Sequence, residues 1–403
     1  MRILLICNKF PYPPRDGGSL ASYNMARGLV EAGNRVDLLA MNTSKHYSPG
    51  GVLNIDIEGL NKVRDVFIDN SVSYPGLFFN LLFSSTPYNA GRIIHKTFKK
   101  VLADMLRENE YDIIQMEGLY LASYLKEIRE NTKAKIVYRA HNIEHEIWNS
   151  YCRNTKAISE KFYLGHQNKK IKNFEQEFVN RYDLLATVSK ADLEKLNSMG
   201  NEKPAIVAPF GMYPDEFIMA KSSSVGDSFH LQYIGALDWL PNVESLNWFI
   251  DNVWVKVKKK YPGLRFSVAG RNPKGRFAKK MVRKGIDYFG EVASSRKYLS
   301  ENGVVVVPLF SGSGIRVKII EALFMKKPVI ATTFAVSGIP VEDGVNILIA
   351  DNENAFLDCI GKLVTDQDYA AGMGARAGEL SARYFDNRTI TDELTAFYKI
   401  HSV

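Results

Sequence analysis

The stretch Val304-Val305-Val306-Val307-Pro308-Leu309-Phe310-Ser311-Gly312-Ser313-Gly314-Ile315-Arg316-Val317-Lys318-Ile319-Ile320-Glu321-Ala322-Leu323 reads as a buried strand, a Gly-Ser-Gly turn and an apolar helix. Four consecutive valines suit a strand covered on both faces, as in a parallel sheet with helices on either side. A glycine turn that opens a helix presents backbone N–H groups at the positive end of the helix dipole, where an anion is favoured. Arg316 and Lys318 then add two cations in the first turn, where helix stability alone would call for acids. That conflict points to a bound anion with more than one charge, such as a diphosphate. Gly314, Lys318 and Glu321 stand at i, i+4 and i+7 on one helix face. Glu321 can accept two hydrogen bonds from a vicinal diol while Lys318 holds the adjacent phosphate, an arrangement that matches a nucleoside diphosphate. A dinucleotide fingerprint fails twice here. Its third glycine position is Val317, and the next strand ends Ala331-Thr332-Thr333 with no acid for a ribose. The plainer alternative is a tight turn with solvated Arg and Lys.

Outward from this stretch the same alternation recurs. Ile3 to Cys7 is a continuous apolar run, followed by a Pro/Gly loop ending in Arg15-Asp16-Gly17-Gly18. Ser19 is the expected N-cap of a helix that stops at Gly33, and Val36 to Ala40 forms the next strand. Further strands are expected at 111–116, 134–138, 184–188, 206–208, 229–234, 265–269 and 329–332, with a long polar helix over 159–180 and a final helix over 385–403. This βαβ grammar predicts doubly wound parallel sheets. The small polar segment 220–227 is the best linker candidate. The domains expected are 1–215, 216–385 and a last helix over 386–403.

A length of 403 residues fits two or three domains at roughly 150 residues each. The 46% hydrophobic content is ordinary for a globular chain, and three scattered cysteines form neither a disulfide framework nor a zinc site. A net charge of +8 favours anionic partners without choosing among phosphates, nucleic acid and membrane surfaces. Finger spacing, RNA-binding aromatics and a basic stripe are all missing from the sequence, so no nucleic-acid partner is expected. No stretch has the roughly 20 apolar residues of a spanning helix. A cytoplasmic chain, at most peripheral at the inner face of the membrane, is the expectation.

The ordered motifs resemble family 4 glycosyltransferases, retaining enzymes of the GT-B fold, in which two Rossmann-like domains face a cleft and a C-terminal helix crosses back. The resemblance rests on the stretch above, on Lys326-Lys327-Pro328-Val329-Ile330-Ala331-Thr332, on Gly338 to Asp351, on the Gly17-Gly18 loop and on Ala208-Pro209-Phe210-Gly211. It covers essentially the whole chain. Gly235-x-x-Asp238-Trp239-x-Pro241-Asn242, Gly270-Arg271-Asn272-Pro273 and Gly312-Ser313-Gly314-x-Arg316-x-Lys318 resemble a subgroup of sugar transferases for bacterial surface polysaccharides. The chain departs from the family at Ser313, where a first Glu is usual, at Ala236, where an Arg is usual, and at Phe210, where an Asn is usual.

The resemblance implies transfer of a sugar from a nucleoside-diphosphate sugar to a glycan, polysaccharide or lipid-linked acceptor, with retention and without a cofactor. It assigns His141 to the donor sugar and Arg316 and Lys318 to the leaving diphosphate. Gly17, Gly18, Arg271, Gly312, Ser313, Gly314 and Glu321 bind the donor. A metal reading of His141, Glu144, His145 and Glu146 lacks a separate third ligand, so no metal is expected. Two rival functions are another sugar-nucleotide enzyme, such as an epimerase, and a non-catalytic nucleotide-sugar-binding protein. The segment Tyr74 to Phe83, followed by Arg92, His95, Lys96, Lys99 and Lys100, fits an interfacial helix on anionic lipid. It fits equally a core helix beside a solvated surface, and both readings stay open.

Overall fold

Apolar runs bounded by glycine turns become strands of two parallel sheets. The computed structural model describes residues 1–402 except 15, 51–54, 156, 219–228, 272, 274, 302 and 313–315. The chain divides into one unit of Met1–Met212 with Asn387–Val403, and a second of Tyr213–Asp386. The expected linker 220–227 lies outside the described residues.

The first unit holds strands β1 (Arg2–Cys7), β2 (Arg35–Thr43), β3 (Lys62–Ile68), β4 (Ile113–Glu117), β5 (Lys135–Ala140), β6 (Leu184–Thr187) and β7 (Ala205–Val207). They pair in parallel in the order β3-β2-β1-β4-β5-β6-β7. The second unit repeats that winding. Its strands β8 (His230–Ile234), β9 (Arg265–Ala269), β10 (Asp287–Gly290), β11 (Gly303–Val307), β12 (Val329–Ala331) and β13 (Leu348–Ile349) pair in parallel in the order β10-β9-β8-β11-β12-β13. The two units thus have the doubly wound parallel sheets that the alternation predicts. In each, the order reverses beside the first strand, between β1 and β4 and between β8 and β11. Ligands of open α/β sheets bind outside the carboxyl ends of the strands at this switch point.

Three strands escaped the sequence reading, and all lie at sheet edges. β3 is Lys-Val-Arg-Asp-Val-Phe-Ile, half exposed and without a continuous apolar run. β10 is mostly half-exposed and β13 has two residues.

The first helix spans Gly17–Glu31, and its cap is Asp16 rather than Ser19. The Asp16 carboxylate accepts from the Ser19 N–H at 2.9 Å, while the Ser19 hydroxyl accepts from the Asp16 N–H at 3.0 Å. A serine three residues into a helix completes a capping box, so Gly17 and Gly18 belong to the first turn rather than to the loop. The helix ends before Gly33, whose φ of 80° favours glycine.

The last helix, Asn387–His401, packs within the first unit, where Ile390, Leu394 and Tyr398 join Ile3, Leu5, Met25 and Leu29 in one core. Its start is pinned by Asn387, whose N–H donates to the Met212 carbonyl at 2.9 Å and whose side chain donates to the Asn24 carbonyl at 2.8 Å.

The helix Tyr74–Phe83 contains no buried residue, so the core-helix reading of that segment is wrong. Among the described residues, no helix is long and apolar enough to cross a membrane.

Candidate functional site

In the second unit, β11 carries the chain to the switch point and into the glycine turn. Gly312 has a φ of 116°, and a Cβ there would come 2.6 Å from the Trp239 ring, so the position excludes a side chain twice over. Ser313 and Gly314 lie outside the described residues. The helix begins at Val317, with Arg316 at the position just before its first turn and Lys318 within it.

Both cations are withdrawn from water. Arg316 is buried with its guanidinium 4.9 Å above the Phe334 ring, and its Nε has no hydrogen-bond partner. Burial lowers its pKa to about 10. The Lys318 ammonium lies 4.7 Å from the Tyr233 ring centre and donates to Asn242 Oδ1 at 3.1 Å. Burial, and then repulsion from Arg316, lowers its pKa to about 7. Among the described residues, no carboxylate lies within ion-pairing distance of either cation. Glu321, one turn further on, accepts from the Ser295 hydroxyl at 2.9 Å, and burial raises its pKa. Arg271 is half-exposed, with Nε 3.5 Å from Asp238 Oδ2.

Asn242 is the functional residue to which the sequence reading gave no role. Its Nδ2 donates to the Ala236 carbonyl at 2.9 Å, which turns its Oδ1 toward Lys318. The available signal was its place at the end of the Gly235–Asn242 motif. Gly235 contributes by its missing side chain, since a Cβ there would stand 2.7 Å from Lys318 Nζ.

In the first unit, the candidate residues gather at the carboxyl ends of β1, β4 and β5. Gly17 and Gly18 open the first helix beside Asp16, whose carboxylate is 2.5 Å from Lys9 Nζ. Burial opposes ionisation of Asp16, but Lys9 outweighs it and brings the pKa to about 2. The positive end of this helix therefore already carries a carboxylate, and Lys9 is the uncharted cation beside the glycines. A Cβ on Gly18 would come 2.8 Å from Lys9 Nζ.

His141 follows β5 and places Nε2 2.8 Å from Glu117 Oε2 at the end of β4. The same oxygen accepts from Arg139 Nη1 at 2.9 Å and from the Ser22 hydroxyl at 3.1 Å. Gln115 donates to the other Glu117 oxygen at 2.6 Å and accepts from the Tyr398 hydroxyl of the last helix at 2.6 Å. Phe210 meets the His141 ring edge-on and lies against the Arg139 guanidinium. Burial would raise the Glu117 pKa, but Arg139 and His141 lower it to about 2. Burial lowers that of His141 against the pull of Glu117, which leaves a neutral imidazole at pH 7. With Nε2 facing a carboxylate, Nε2 carries the proton and Nδ1 is the acceptor.

The four residues of the metal reading do not converge. His141 is held by Glu117 and His145 by Glu175, while Glu144 accepts from Tyr120 and Glu146 pairs with Lys195.

Two doubly wound units, one with a cationic pocket at its switch point and an acidic residue one turn beyond, define the GT-B class of nucleotide-handling proteins. The chain belongs to glycosyltransferase family 4: residues 15–215 match the family described as "Glycosyltransferase Family 4", and residues 228–366 match "Glycosyl transferases group 1". A curated relative from Klebsiella pneumoniae, described as an uncharacterised 44.6 kDa protein in the cps region, is 22% identical over 88% of this chain and 89% of its own. Among solved structures, Anabaena HepE in complex with UDP is 15% identical with a TM-score of 0.69, covering 99% of this chain and 100% of that one. Sucrose-phosphate synthase from Thermosynechococcus elongatus has the same identity of 15% and TM-score of 0.69, over 99% of both chains. A mutant of S. aureus TarM in complex with fondaparinux, alpha-GlcNAc-glycerol and UDP is 13% identical with a TM-score of 0.66, over 99% of this chain and 100% of that one.

Proposed function

We propose that this glycosyltransferase moves a hexosyl unit from a nucleoside-diphosphate sugar to a glycan, polysaccharide or lipid-linked acceptor, with retention of anomeric configuration. The observation that carries the proposal is the pair Arg316 and Lys318, both withdrawn from water with no carboxylate to pair with. Unpaired cations in such a place cost stability, and a diphosphate would repay that cost on binding. Glu321 then suits the ribose hydroxyls, with Ser295 holding its carboxylate in place.

The chemistry follows from charge. As the glycosidic bond breaks, negative charge grows on the diphosphate, and Arg316, Lys318 and the amides of the glycine turn stabilise it more than they stabilise the bound donor. Arg271 adds a further cation. A front-face route assisted by the departing diphosphate needs no protein nucleophile, and retention follows from it. In the first unit, His141 offers Nδ1 as an acceptor to a sugar hydroxyl, while Gly17 and Gly18 offer amides to an acceptor or phosphate. The UDP and UDP-glucose complexes of HepE and the cps-region origin of the Klebsiella relative support a nucleotide-sugar donor and a polysaccharide setting. A cytoplasmic place at the inner face of a membrane fits a lipid-linked acceptor.

A thermal-shift screen of UDP, GDP, ADP and their sugars tests the donor, because a ligand bound only by the folded state raises its melting temperature. One diphosphate series is expected to stand out. Lys318→Ala and Glu321→Ala are each expected to lower transfer strongly while the fold persists. Wild-type turnover in both variants would overturn the site assignment.

A further inference from the structure

The helix Tyr74–Phe83 is attached to the protein by its polar residue and shows its apolar residues to solvent. Its sequence, Tyr-Pro-Gly-Leu-Phe-Phe-Asn-Leu-Leu-Phe, contains no charge, and its one amide, Asn80, faces inward. Gln167 Nε2 donates to Asn80 Oδ1 at 3.0 Å and Lys170 Nζ donates to the Asn80 carbonyl at 2.5 Å, both from the helix Ile158–Phe178. Tyr74, Phe78, Phe79, Leu82 and Phe83 are left exposed, Tyr74 at 83% and Phe83 at 77%. The supporting helix adds Ile158 at 87% and Phe162 at 72%. This is the reverse of the usual amphipathic helix, which buries its apolar face. Clustered exposed aromatics of this kind mark an interaction surface.

We infer that this helix seats the chain on an anionic lipid bilayer, with Phe78, Phe79 and Phe83 entering the headgroup boundary. Charge selects this occupant. On the supporting helix, Ile158, Lys161, Phe162, Lys169 and Lys172 fall at i, i+3, i+4, i+11 and i+14, so the exposed apolar residues continue into exposed lysines along one face. An apolar patch fringed by cations suits an anionic surface, where insertion and Coulomb attraction add. A second copy pairing face to face would bring two such fringes together and be opposed by them. The inference deepens the membrane part of the proposed function and does not depend on how the donor is bound.

The test is co-sedimentation of the full chain with phosphatidylglycerol–phosphatidylethanolamine vesicles and with phosphatidylcholine vesicles. Binding is expected to the anionic vesicles, to fall with added salt, and to drop at least tenfold in the triple variant Phe78→Ser, Phe79→Ser, Phe83→Ser. Lys161→Glu with Lys169→Glu and Lys172→Glu is expected to weaken it as well. The UDP-induced thermal shift, unchanged in both variants, controls for folding. Failure to bind anionic vesicles, equal binding to phosphatidylcholine, or undiminished binding by the triple variant overturns the inference. So does a dimer in sedimentation equilibrium that the triple variant dissolves while wild type ignores vesicles, since the occupant is then a second copy. A missing UDP shift in the wild type would instead count against the donor reading and leave this one standing.

Discussion

His141 Nε2 stands 2.8 Å from Glu117 Oε2, and the buried Arg139 guanidinium takes hold of the same oxygen. The carboxylate therefore sets both the tautomer and the direction of the imidazole, while Arg139 sets the carboxylate. Glu117 acts through His141 as a positioning residue. Glu117→Gln keeps the shape and removes the anion, so His141 loses a charge-assisted hydrogen bond of about 1.5–3 kcal/mol. If His141 acts on the sugar, turnover should fall roughly 10- to 100-fold. Nitrogen NMR of the imidazole should show the Nε2–H tautomer in the wild type and a mixed population in the variant. An unchanged tautomer would end the positioning role, and an altered tautomer with full turnover would remove His141 from the chemistry.

The same pair sets an acid limit on stability. Burial opposes ionisation of Glu117, yet Arg139 and His141 hold it at about 2, below its ordinary 4.5. A carboxylate depressed on folding stabilises fully above its unfolded value and loses that contribution as pH falls through the folded one. The melting temperature should therefore drop between pH 4.5 and 2. Glu117→Gln, which strands Arg139, should cost about 3–5 kcal/mol at neutral pH. Its deficit relative to wild type should shrink across the acid window. A constant gap measured by chemical denaturation at several pH values would contradict this assignment.

Lys318 works in the opposite direction. Burial and then Arg316 lower it from 10.5 to about 7, so the folded state resists its protonation. Because the unfolded chain holds more protons between pH 7 and 10.5, the empty protein should gain stability from this group as pH rises through that range. Lys318→Met should flatten that gain and raise the melting temperature at neutral pH. A diphosphate reverses the preference by favouring the ammonium, so UDP affinity should weaken as pH climbs above 7. The variant should bind UDP roughly 10- to 100-fold less tightly, the worth of about 1.5–3 kcal/mol for a charged hydrogen bond. Calorimetry across pH 6–9 checks the slope as well as the loss, and a Lys318→Met variant with the wild-type slope would place the titrating group elsewhere.

The valine run at 304–307 and the glycine turn were legible because a strand covered on both faces and a helix opening each leave a local pattern. Lys318 and Glu321 were legible for the same reason, being one helical turn apart. What holds them was not: Asn242 reaches Lys318 across 76 positions, and only the fold brings the two together. Glu117 was hidden by register. The strand reading stopped at Met116, one residue short, and only the alignment of β4 with β5 sets Glu117 opposite Arg139. The helix at 74–83 could be read two ways because its apolar composition is indifferent to which side faces water. Gln167 and Lys170, nearly ninety positions away, turn its one amide inward.

Glu321 can be tested through the ribose alone. Its carboxylate is steadied by Ser295, and a vicinal diol would donate twice to it. A nucleotide lacking one hydroxyl leaves that acceptor short of a partner, which costs about 1–3 kcal/mol for a buried group. UDP should therefore bind roughly 5- to 100-fold more tightly than its 2′-deoxy form. In Glu321→Ala the two should bind alike. A preference that survives in the variant would move the ribose contact to another residue.

The last helix bears on the first through a single missing side chain. A methyl at Gly28 would come 2.4 Å from Asn387 Nδ2 and 2.6 Å from Thr391 Cγ2. Asn387 has little room to give, because its amide donates to the Asn24 carbonyl and its own N–H to the Met212 carbonyl. Gly28→Ala should therefore destabilise the protein by about 1–3 kcal/mol through overpacking, against the gain a helix interior usually draws from alanine. Thr391→Ala clears part of the space, so the double variant should be less destabilised than the two single changes added together, with a coupling of at least about 0.5 kcal/mol. Urea denaturation of the four proteins closes the cycle. Strict additivity would mean that the two helices do not meet at Gly28 as closely as the geometry requires.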